Sequence, residues 1–133
     1  MVDLFQAKTF VPGDVLLREG DAGGVAYMIE HGRVEVTKMA EGRKVVLNTL
    51  GPGAIVGEMA LIDRAPRMAT VTATEKTIAL MIDQRVFDKV LADAPPVLRA
   101  LVLAYTSHLR NLGARASQLE TELHKAATPK PPD

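Results

Sequence analysis

The chain contains no cysteine. This excludes disulfide staples, thiol nucleophiles and cysteine-ligated zinc, and it suits a reducing cytoplasm, the compartment expected here. Neither sign of charge is in excess: 16 Lys+Arg stand against 16 Asp+Glu, so the general basic surface that nucleic acids attract is missing. No run of about 18 apolar residues is present, so no membrane-spanning helix is expected. The opening Met1-Val2-Asp3-Leu4-Phe5 has no basic stretch leading into an apolar one and does not read as a signal peptide. With the character of the tail, Met1 is read as the start of a complete protein. No internal repeat is visible. The three histidines, His31, His108 and His124, are scattered and read as surface residues rather than as metal ligands. No Ser/His/Asp or Cys/His pairing points to a nucleophile. Neither metal nor cofactor is expected, and no enzymatic activity. What is present is 133 residues, 47% of them apolar, enough for one globular domain with a respectable core.

Residues 1 to about 83 read as short strands divided by turns. Segments 15–17, 26–29, 34–37, 44–47, 69–73 and 77–82 are β-branched or alternate apolar with polar residues. Between them stand Pro12-Gly13-Asp14, Gly20-Asp21, Gly23-Gly24, His31-Gly32, Glu41-Gly42 and Gly51-Pro52-Gly53. Closely spaced strands with such punctuation predict a sandwich or barrel. A short helical segment, Glu58-Met59-Ala60-Leu61-Ile62, interrupts them. The pattern turns helical at 84–92, pauses at Asp93-Ala94-Pro95-Pro96 and resumes over 97–123. Residues 124–133, with Pro129, Pro131 and Pro132, read as a disordered tail.

One segment carries chemistry: Gly57-Glu58-Met59-Ala60-Leu61-Ile62-Asp63-Arg64-Ala65-Pro66-Arg67-Met68-Ala69-Thr70-Val71. A glycine turn lets the backbone approach a ligand closely. The short helix that follows offers unpaired N–H groups at its start. Arg67 then stands at the head of an apolar strand, where a charge is costly unless paired. A phosphate would pair it through charge-assisted bidentate bonds, and Glu58 could accept a sugar hydroxyl. The plain alternative is that Glu58 and Arg67 pair with each other.

The spacing from Gly57-Glu58 to Pro66-Arg67-Met68-Ala69-Thr70-Val71 resembles, without a gap, the phosphate-binding cassette of the cyclic-nucleotide-binding family. That family includes kinase regulatory subunits, nucleotide-gated channels and the bacterial catabolite activator. Flanking segments resemble it as well: Phe10-Val11-Pro12-Gly13-Asp14, Glu19-Gly20-Asp21, Leu50-Gly51-Pro52-Gly53, and the stretch from Tyr27 through Gly32 to Val36. The resemblance spans roughly residues 5 to 112. It implies a mainly β fold with flanking helices: a double-stranded β-helix, or jelly-roll barrel, with a short phosphate-binding helix and C-terminal helices. It also implies a ligand, cAMP first and cGMP second. Glu58 and the Gly57 backbone would hold the ribose 2′-hydroxyl, and Arg67 the cyclic phosphate. The N–H groups of Ala60 and Met68 would complete the cradle, with Met59 and Ala69 in the same segment. Val45, Leu47 and Val56 would wall the purine. Met68 lacks the hydroxyl that favours cGMP at this position of the family. Ile55-Val56 departs from the aromatic residues many relatives carry before Gly-Glu.

Over the last helix Leu98, Val102, Tyr105, Leu109, Leu112, Ala116, Leu119 and Leu123 fall on a and d of one heptad frame. Two readings follow: the stripe packs on its own domain, or it forms the seam of a parallel homodimer in which Arg115 faces Glu120 of the second copy. Gly113 is a weak point in the helix interior. Thr106-Ser107 resembles the pair in the activator's dimer helix that reaches the adenine amino group; alternatively both hydroxyls bond carbonyls of their own helix. The expected molecule is a stand-alone cAMP receptor, residues 1–123, signalling through helix movement to an unidentified protein. The rival readings are a degenerate domain kept for dimerisation and a metal-dependent enzyme on a similar barrel.

Overall fold

A computed structural model describes residues 5–62 and 66–127. The expected tail residues 128–133, and Asp63, Arg64 and Ala65 of the cassette, lie outside the described residues. The chain divides into two compact units, Met1–Asp93 and Ala94–Asp133.

The first unit is mainly β. Its strands are β1 (Gln6–Phe10), β2 (Val15–Leu17), β3 (Val25–His31), β4 (Val34–Ala40), β5 (Arg43–Leu50), β6 (Ile55–Val56), β7 (Thr70–Ala73) and β8 (Thr77–Asp83). They form two four-stranded antiparallel sheets, β1-β8-β3-β6 and β2-β7-β4-β5, the jelly-roll architecture expected from the sequence. Both sheets contribute to one core. Phe10, Tyr27, Ile29, Val56 and Ala79 come from the first, and Leu16, Leu17, Val34, Val71 and Ala73 from the second. Phe10 and Tyr27 meet edge to face at 5.6 Å, an arrangement that suits the ring quadrupoles. In β7 the alternation is strict: Val71 and Ala73 are buried while Thr70 and Thr72 are half-buried. The buried Thr77 hydroxyl donates to a carbonyl oxygen, with Glu75 at 2.9 Å and Arg33 at 3.2 Å, so this polar group does not enter the core uncompensated.

Two strands lie outside the expected segments. β1 is polar and exposed up to Phe10. It exists because β8 offers it a ladder from Gln6↔Met81 to Phe10↔Thr77. As the edge strand of its sheet it has no need of an alternating pattern. β6 has only two residues, paired as Tyr27↔Val56 and Met28↔Ile55.

Helix α1 (Gln84–Asp93) begins where the Asp83 carboxylate accepts the Val86 N–H at 2.8 Å, an N-cap bond. The second unit holds α2 (Pro96–Ala127). Its proline at the start is in keeping with a position that needs no N–H donor. The helix runs to Ala127 rather than ending at Leu123, which moves the expected tail boundary. His124-Lys125-Ala126-Ala127 contains no breaker, and the first one is Pro129, which disfavours helical geometry at the residue before it. Among the described residues no helix is long and apolar enough to cross a membrane.

Candidate functional site

The cassette starts from β6, which pairing with β3 fixes against the core through the buried Val56. Gly57 then turns the chain with φ of 79°, a left-handed conformation that suits a residue without Cβ. The helical segment expected after it is a four-residue 3₁₀ helix, Glu58–Leu61. Buried Leu61 anchors its end.

Pro66 to Ala69 leads into β7, and here Arg67 is held at both ends. Its backbone N–H donates to the Asp21 carbonyl at 3.0 Å, and its carbonyl accepts from Gly20 at 2.8 Å. Its guanidinium donates to the carbonyls of Gly57 at 2.9 Å and Val25 at 2.5 Å. The alternative ion pair with Glu58 is not formed. Among the described residues no carboxylate forms an ion pair with Arg67. A half-buried cation whose described partners are all neutral acceptors can still pair with an incoming anion.

Two glycines make room for this arrangement. A Cβ on Gly57 would lie 2.8 Å from Nη1, and a Cβ on Gly23 would lie 2.7 Å from Nη2, 3.0 Å from Nε and 3.1 Å from Cζ. Gly23 was not among the sequence candidates. It reads only as turn punctuation in Gly23-Gly24, and nothing local ties it to an arginine so far along the chain.

Beside the guanidinium lies a cavity of about 320 Å³, within the range of small-ligand sites. Val56, Gly57, Glu58, Met59, Arg67, Met68 and Ala69, all expected in the site, line it together. Ile55 lines it too, so the aliphatic departure from the family pattern forms part of its wall. Val45 and Leu47 do not line it; from β5 the wall takes Asn48 and Leu50 instead. The reason is pairing. Val34↔Leu50 and Val36↔Asn48 set which side chains of β5 share a face with the inward residues of β4. The register then slips, so that Thr37 faces Val46 and Leu47 is left without a partner. A one-residue slip of this kind moves side chains to the other face. Val45 and Leu47 are both exposed.

Ala60 lies within the 3₁₀ helix. Thr106 and Ser107 belong to the second unit, on α2. The Thr106 hydroxyl donates to the Leu103 carbonyl of its own helix at 2.9 Å, which is the alternative reading for Thr106. Of the stripe on α2, Leu98, Tyr105, Leu109, Leu112, Leu119 and Leu123 are exposed.

Comparison with known proteins agrees with this geometry. The family model of the cyclic nucleotide-binding domain matches residues 7–94. The acetyltransferase Pat of Mycolicibacterium smegmatis is 46% identical over 81 residues, covering 60% of this chain and 24% of that protein. A cAMP-dependent protein kinase regulatory subunit of Yarrowia lipolytica is 34% identical over 123 residues, covering 92% of this chain and 32% of that one. The chain thus spans between about a quarter and a third of the length of these relatives. Among solved structures, the EAL enzyme Bd1971 in its half-site-occupied form superposes with a TM-score of 0.78 at 32% identity, over 82% of this chain and 98% of that one. Its cAMP-bound form matches 91% of this chain and 33% of that one, with a TM-score of 0.63 at 31% identity. The cGMP-bound form matches 91% and 32%, with a TM-score of 0.64 at 30% identity.

Proposed function

Because this chain belongs to the cyclic-nucleotide-binding domain family, we propose that it is a cytoplasmic receptor for cAMP and not itself an enzyme. One observation carries the ligand: the Arg67 guanidinium, seated between Gly23 and Gly57, has only carbonyl partners among the described residues and faces a cavity of nucleotide size. A cyclic phosphate supplies the missing negative charge. Glu58, which no described residue pairs, takes the ribose 2′-hydroxyl. cAMP is preferred to cGMP because Met68 lines the cavity without a hydroxyl to meet the guanine 2-amino group. The cAMP-bound relative supports the first choice, and the cGMP-bound form of the same relative keeps cGMP as the second ligand.

The output runs through α2. Ligand binding favours whichever placement of this helix completes the site, as any ligand with differential affinity does, and a coupling of about 1–3 kcal/mol suffices for a switch. The exposed leucines of α2 seat a second copy in parallel, giving a homodimer, and the signal passes to a partner protein.

Titration of the whole chain with fluorescent cAMP, in parallel with Arg67→Ala, tests the ligand. Saturable binding that Arg67→Ala weakens about 30-fold or more is expected. No binding, or a variant within threefold of the native chain, refutes the assignment. Hydrogen exchange over residues 97–112 that is the same with and without cAMP refutes the role of α2.

A further inference from the structure

Asn48 stands apart among the residues that line the cavity. Beyond Glu58 and Arg67 of the cassette, the described lining is apolar or glycine except for this one carboxamide. Its place follows from the sheet. Val71 pairs with Val36, and Val36 pairs with Asn48, so the three stand in line across β7, β4 and β5, and all three line the cavity. Two strand spacings put Asn48 about 10 Å from Val71. Val71 is the second residue of β7, the strand that follows Arg67 and Met68. A nucleotide whose phosphate sits at Arg67 and whose base extends away from the cassette reaches across that distance.

The orientation of the carboxamide is also set. Its Oδ1 accepts the Thr49 N–H at 2.9 Å, which assigns oxygen and nitrogen. No described residue accepts from the NH₂ group, so both of its N–H donors are free, beside the second lone pair of Oδ1. A donor rewards ring nitrogens with a free lone pair and gives nothing to exocyclic amino groups.

We propose that Asn48 is a specificity-determining residue, donating its side-chain N–H to an acceptor nitrogen of the purine ring. This rests on the nucleotide reading given above and adds a contact to the base made from the sheet wall, remote from the cassette in sequence.

The test pairs variants with ligand analogues. Binding of cAMP and of its 1-deaza, 3-deaza and 7-deaza analogues is measured by competition for the native chain, Asn48→Ala and Asn48→Asp. Asn48→Ala is expected to weaken cAMP about three- to tenfold, the range of one neutral hydrogen bond. Asn48→Asp keeps the shape, loses both donors and is expected to lose at least as much. One deaza analogue should lose a similar factor on the native chain yet bind Asn48→Ala as well as cAMP does. Native affinity in Asn48→Ala, or analogue losses that are equal in native and variant, overturns the inference. The analogue series on the native chain decides without any variant: three analogues that all bind as cAMP does also overturn it. Arg67→Ala separates the two levels. A native chain that binds cAMP through Arg67 but ignores Asn48 removes this inference alone, whereas a native chain that does not bind cAMP removes both.

Discussion

Replacing Gly23 by alanine puts a methyl carbon where the guanidinium of Arg67 now lies. The new Cβ would stand 2.7 Å from Nη2, while ordinary contact begins near 3.4 Å, so the group must retreat by about 0.7 Å. On the other side Nη1 is held by its bond to the Gly57 carbonyl at 2.9 Å. The guanidinium therefore cannot slide along its slot and keep both carbonyl bonds. Gly23 is not among the glycines with positive φ, so alanine fits its backbone and restricts the unfolded chain, a gain of about 0.4–1 kcal/mol. That gain offsets part of the disturbed bonding, and thermal stability should change little. Affinity should not be spared. Misaiming one charge-assisted bond costs about 1.5–3 kcal/mol, or roughly ten- to hundredfold in binding. Titration calorimetry with cAMP on the native chain, Gly23→Ala, Arg67→Ala and the double variant measures this as a cycle. In the Arg67→Ala background the glycine substitution should cost nothing. Native affinity in Gly23→Ala, or losses that simply add in the double variant, would refute the reasoning.

Glu58→Ala should weaken cAMP less than Arg67→Ala, because it removes a bond to a neutral hydroxyl rather than a partner of the phosphate; competition binding ranks them, and the reverse order would reassign the two roles. The chain should prefer cAMP to cGMP, and Met68→Thr should narrow the gap; equal affinities for the native chain would place base reading elsewhere. Light scattering at tens of micromolar should show a dimer that Leu112→Glu with Leu119→Glu converts to a monomer. An intact dimer in that variant would move the interface away from α2.

The strands whose side chains alternate were legible. β7 shows why: Val71 and Ala73 face the core and the threonines do not, so the period is written in the residues. β1 was not legible, because its existence depends on the ladder that β8 offers and not on its own composition. The charged part of the site could be read for a related reason. A turn glycine, a carboxylate and an arginine before an apolar strand are costly there unless a ligand meets them, and the structure gathers Gly57, Glu58 and Arg67 at one cavity. The wall opposite could not be read in the same way. Apolarity offers Val45 and Leu47, but strand pairing decides which face a residue takes, and the slip beside Leu47 leaves the polar Asn48 lining the cavity. Gly23 was hidden for a third reason: its role is an absence of atoms, which has meaning only once Arg67 is in place.

The two main-chain bonds that join Arg67 to the Gly20-Asp21 turn make that turn a built-in reporter. The Gly20 N–H points at the carbonyl of the residue whose side chain would receive the ligand, and Asp21 accepts the N–H of the same residue. A pull on the guanidinium would act on two hydrogen bonds of a surface turn whose Asp21 stands 46 positions earlier in the chain. Next to it, Glu19 reaches the Met39 N–H of β4 at 3.0 Å through its carboxylate, and its own N–H donates to the Thr70 hydroxyl at 3.0 Å. In an amide spectrum, the Gly20, Glu19 and Met39 resonances should therefore shift together with that of the Arg67 amide as cAMP is added, although none of the three lines the cavity.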